Sequence, residues 1–273
     1  MAHDLPGWVA ELTDPRRART LDELADRLVP LAEHSIDVSR RLQALLNELN
    51  DPFKKEALHD RVDRLKDRSS EALDEVTAEI TASGRERIER IRAGWPERLA
   101  DGERKRLDGE IVAMVERHRH EAAGRVAEAT SAGLGEATQL LLTRVEELAK
   151  VVTDLIHDVL PLAREGLTLA SRISALSARS RQSGRGPVPD ELRDEGAEVA
   201  REFDEAVARL ELEWAALGAR SATVRAALRG AEEAAFSQVT NAMTQCVEDL
   251  APAHVQALNQ VETRAQSLLD ELT

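Results

Sequence analysis

The side chains best suited to metal or nucleophile chemistry are seven histidines and a single cysteine, Cys246. A metal pair on a helix needs ligands three or four residues apart, on one face. His118 and His120 are two residues apart, about 200° around a helix, and cannot share an ion without unwinding it. His3, His34, His59, His157 and His254 have no such neighbour, and there is no HExxH. Carboxylate-bridged di-iron bundles use a pair of Glu-x-x-His motifs. This chain has no such pair; Glu116 and His120 form one pair at i, i+4. The histidines therefore read as packing or surface residues, with His118 on a helix seam and His157 beside one. Cys246 falls on an apolar stripe and reads as a buried structural thiol, not an activated nucleophile. No GxSxG, Walker loop or GxGxxG before a helix occurs, and Gly133-Leu134-Gly135 is too short to cradle a phosphate. The expectation is no metal, no cofactor, no small-molecule ligand and no catalysis.

A second kind of chemistry is charge recognition. Residues 84–108 include Arg85, Arg92, Arg98 and Arg104, with Trp95 at a turn, and residues 172–189 include Arg179, Arg181 and Arg185 with no acids. Together these segments carry a surplus of six positive charges on a chain of net charge −14. If helices run up and down, the turn at 94–96 and the loop at 183–189 are alternate turns and share one end. Arg85, Arg92, Trp95, Arg98, Arg104, Arg179, Arg181 and Arg185 would then form a basic tip able to meet an acidic partner or anionic lipid.

The elements that must position such residues are helices. Apolar residues make up 42% of the chain and aromatics 2%, so Leu, Val and Ala must fill narrow seams between helices. From Leu21 to Leu49 apolar residues recur at 3-4 spacing, with Ser35 the one polar seam position. Thr20 to Glu23 fits a capping box, and Pro30 predicts a kink. Asp51-Pro52 predicts a cap and first helical residue, and Gly94-Trp95-Pro96 a stop. Further helices are expected over about 52–93, 97–131 and 135–182, with Ser131 to Gly135 breaking the chain between the last two. In the last of these, Leu141, Val145, Leu148, Val152, Leu155, Val159 and Leu162 begin an unbroken 4-3 series, kinked at Pro161. Leu155 is expected deep in this seam and Glu198 on a polar face. Ser183 to Pro189 is the clearest loop. The C-terminal helices of 190–273 follow, with Gly218 and Pro252 as possible interruptions. Residues 1–19 form an arm, with a helical turn over 5–12.

These elements predict an all-α protein: an elongated antiparallel bundle of about five to seven coiled-coil-like helices, about 45–65 Å long for 30–45 residues each. The acidic balance disfavours nucleic acid. With no apolar run of membrane length and no signal-peptide pattern at the N-terminus, the expected location is the cytoplasm. The expected function is a non-catalytic scaffold or adaptor, docking on a protein partner or on itself. The alternative is a soluble effector that binds or inserts into membranes. The long helices and apolar middle helix resemble helical pore-forming toxins in outline, a likeness of fold alone. Arg144, Asp154, Asp158 and Arg164 in that helix suit a bundle in water better. The third reading is an enzyme without a visible motif.

Overall fold

The structure, a computed structural model, describes residues 14–97 and 99–272. The turn expected over 5–12 lies outside these residues, as does Arg98. Four long helices pack as a bundle: α1 (Leu21–Asn50), α2 (Lys55–Ala93), α3 (Asp101–Gln182) and α4 (Asp190–Leu272). The number is four, not five to seven, because three candidate breaks do not occur. Residues 131–135 remain inside α3, and Gly218 and Pro252 inside α4. A glycine in a helix costs about 1 kcal/mol against alanine, too little to end a helix held by packing. Pro30, Pro161 and Pro252 each remove one backbone donor, and the helix resumes beyond them. Among the described residues, extended pairing is confined to one bridge between Thr20 and Pro187.

The start of α1 is capped much as the sequence predicts. Thr20 Oγ1 accepts the N–H of Glu23 at 3.3 Å, and the Glu23 carboxylate accepts the N–H of Arg19 at 2.7 Å. That backbone donor holds the Glu23 carboxyl below its ordinary value. At the next junction Asp51-Pro52-Phe53 forms a separate 3-10 turn rather than the start of α2. The 183–189 loop is present, and Gly184 adopts a φ of 98°, the left-handed region that favours glycine.

The chain divides into two compact units. The first comprises α1, residues 146–182 of α3 and residues 190–227 of α4. Leu24, Leu28, Leu169, Ile173, Leu176 and Phe203 are central to its core. Within it α1 runs antiparallel to α3: Ser177 Oγ donates to the Ala25 carbonyl at 3.0 Å, and Ser35 Oγ to the Gly166 carbonyl at 2.8 Å. The polar seam position Ser35 is thus buried and satisfied by the facing helix. The second unit comprises α2, residues 101–145 of α3 and residues 228–272 of α4. Its core gathers Ile88, Ile91, Leu107, Ile111, Val261 and Leu268.

Glycines inside α3 and α4 divide by surroundings. A Cβ on Gly133 would lie 3.0 Å from Ala242 Cβ, so this glycine permits close approach of α3 and α4. Gly124, Gly135 and Gly230 have nothing within 4 Å of that position and are exposed. Gly124→Ala, Gly135→Ala and Gly230→Ala should each stabilise the protein by about 0.5–1 kcal/mol. Urea melts of the three variants check this; a loss of stability in any of them would show a neighbour that the fold does not place there.

Candidate functional site

Arg85, Arg92, Trp95 and Arg104 belong to the second unit, and Arg179, Arg181 and Arg185 to the first. The sequence reading makes 94–96 and 183–189 alternate turns; because α3 has no break near 131–135, they are consecutive turns along the chain, one before α3 and one after it.

Arg92, Arg104, Arg179, Arg181 and Arg185 are each engaged within their own unit. Arg92 makes a two-pronged bond to Asp108, Nε to Oδ1 at 2.7 Å and Nη2 to Oδ2 at 2.9 Å, and a further bond to Glu89. These carboxylates raise the Arg92 pKa above its ordinary value. Arg104 donates to the carbonyls of Pro96 and Glu97, both at 3.0 Å, and so staples the turn between α2 and α3. Trp95 is half-buried against the second unit's core, its indole nitrogen enclosed without an acceptor. Arg179 pairs with Glu195, Arg181 with Asp26 at 3.1 Å, and Arg185 with Asp22 at 3.8 Å. Arg85 is exposed on α2. The partner acids Asp108, Glu195, Asp26 and Asp22 come from neighbouring helices.

A network that sequence reasoning missed lies between α2 and α4 in the second unit. Arg61 and Arg64 converge on Glu232, and Arg68 bonds both oxygens of Glu233 at 3.0 and 3.1 Å. The Arg68 guanidinium also lies over the Phe236 ring, 3.9 Å from its centre. Bonding to Arg68 lowers the Glu233 pKa. The available signal was the spacing of Arg61, Arg64 and Arg68 on one helix face, opposite an acidic pair. Such pairs align helices more than they stabilise them, since Glu233 is largely exposed and Arg68 partly so.

In the first unit a shallow groove of about 350 Å³ runs between α3 and α4. Arg172–Glu202 at 2.5 Å and Arg209–Glu165 at 2.8 Å cross it. Both carboxylates of these pairs are thus already partnered by arginines. Among the described residues no three His, Cys, Asp or Glu side chains meet as metal ligands. Nor is any helix among them long and apolar enough to cross a membrane.

Of the histidines, His254 and His118 interact although they are remote in sequence. His254 Nε2 is buried with no hydrogen-bond partner. Burial first, and the His118 charge second, push its pKa below the ordinary 6.5. The neutral form is therefore favoured in the folded state. Stability should be greatest above about pH 6.5 and decline below it, as the unfolded chain takes up a proton that the folded one resists. His254→Gln should flatten this decline in melts between mildly alkaline and mildly acid pH. Identical slopes for the two proteins would remove His254 as a cause. Cys246 is half-buried rather than fully buried, and its Sγ donates to the Arg125 carbonyl at 3.6 Å. His118 is half-buried on its seam, and the His157 side chain is 90% exposed.

Set beside known proteins, the chain matches no family model, no curated protein and no solved structure, so its function has to be argued from the helices and their surfaces.

Proposed function

We propose that this protein is a non-catalytic helical scaffold that engages proteins by docking helix against helix, either a second copy of itself or another partner. The observation that carries the reading is the unbroken length of α3 and α4, 82 and 83 residues. A chain that commits most of its residues to two continuous helices builds long helical faces rather than a recess in which several elements converge. Cross-helix ion pairs such as Arg68–Glu233 and Arg209–Glu165 hold the register of those faces. They would present side chains at fixed helical spacing to a partner helix.

The test is site-specific photo-crosslinking of the full chain in cells, with a reactive residue placed in turn on outward positions of α1 to α4. The scaffold reading expects discrete protein adducts, clustered on one helix face. Adducts scattered evenly, or none from any position, would sink it. Mixing the protein with anionic vesicles addresses the membrane alternative: dye release at sub-micromolar protein would favour an inserting effector.

A further inference from the structure

The first-unit part of α4 is apolar on two opposite faces. One face is spent on the core, where Phe203, Val207, Leu210, Leu217 and Val224 are buried. The other points away from α1 and α3. It consists of Ala208, Leu212, Ala215, Ala219, Ala222 and Ala226, all exposed, with Leu212 70% exposed. Their spacing is 4-3-4-3-4, the seam of a coiled coil, with no charge along it. A surface helix needs one apolar stripe, and a second marks a face meant for another helix.

We infer that this face pairs with the same face of a second copy, antiparallel about a two-fold axis near residue 217. This deepens the scaffold reading and rests on it. The seam is self-complementary about that axis: Ala208 meets the partner copy's Ala226, Leu212 its Ala222, and Ala215 its Ala219. Leu212, the one large residue, lies against an alanine, so the helices can approach closely. Charge selects the direction. Glu211 and Arg225 flank the seam on the side toward α1, where Glu211 faces His34 at 3.7 Å. In the antiparallel arrangement each Glu211 stands beside the other copy's Arg225, giving two ion pairs by symmetry. On the opposite flank Arg209 meets Thr223 and no like charge. A parallel pairing would set Glu211 against Ala216 and leave both Glu211 and Arg225 without an opposite charge. One helix face is a small interface, so the dimer is of the weak, concentration-dependent kind.

Sedimentation velocity of the full chain, from low to hundreds of micromolar, should show a monomer–dimer equilibrium. Leu212→Glu with Ala219→Glu should abolish the dimer and leave the melting temperature unchanged, because both positions face outward. Arg225→Glu should weaken it roughly tenfold by setting like charges together, and adding Glu211→Arg should restore it. In a Cys246→Ser background, Ala215→Cys mixed with Ala219→Cys should oxidise to the mixed dimer faster than either alone. Faster self-linking of Ala215→Cys would overturn the antiparallel register. A dimer that survives the double Glu variant would overturn this face while leaving self-association standing. A chain that stays monomeric yet gives clustered photo-crosslinks to other proteins would overturn self-pairing but not the scaffold. Absence of both would overturn the two together.

Discussion

Ile173→Asp should unfold the first unit cooperatively, or leave it without measurable stability. Ile173 is 0% exposed at the centre of that unit's core. Removing its side chain forfeits about 2–5 kcal/mol by analogy with other large-to-small core changes. A carboxylate in the same place adds the cost of burying an unpaired charge, several kcal/mol more. The sum rivals the entire stability of an ordinary domain, about 5–15 kcal/mol. Leu155→Asp is a different case. The 4-3 series gives Leu155 the same standing as its neighbours, yet it is half-buried, whereas Val152 and Val159 are buried. A carboxylate there can turn to water, and the expected loss is about 1–2 kcal/mol. Glu198 is exposed as expected, and Glu198→Lys should stay within about 0.5 kcal/mol. Urea unfolding followed by circular dichroism should rank the three in that order. Equal midpoints for Ile173→Asp and Leu155→Asp would show that the core is misplaced.

Gly166→Leu should be nearly as damaging, although glycine-to-leucine ordinarily favours a helix. At Gly166 a bare Cβ would already lie 2.2 Å from Ser39 Oγ and 2.7 Å from Leu210 Cδ1. A leucine there must push α1 and α4 away from α3 together. That would break the Ser35 bond to the Gly166 carbonyl and open the core beside it. Overpacking of this kind costs about 1–3 kcal/mol, and losing a buried hydrogen bond about 1–3 more. Gly166→Ala is milder, since Ser39 can turn its hydroxyl, and Ser39→Ala should recover part of the loss. Thermal melts of the two singles and the double give the coupling between them. Simple additivity would mean that the two positions do not meet.

The sequence by itself determined that this protein is helical, where its main turns fall and which face of each helix is apolar. Those properties are local. Capping by Thr20, the glycine turn at 184 and the phase of the leucine series depend on residues a few positions apart. Tertiary structure decided three further matters. It kept α3 whole through 131–135, because the price of Gly133 is met by the close approach of α4 that a bare Cα allows. It sorted a uniform seam into buried Val152 and half-buried Leu155, since burial depends on where neighbouring helices lie and not on spacing alone. And it paired Arg179, Arg181 and Arg185 with Glu195, Asp26 and Asp22, so that a basic segment became a set of local ion pairs. Charge acts through space, with the force falling off over ångströms, and the nearest opposite charge to an arginine on one helix is set by the helix packed against it.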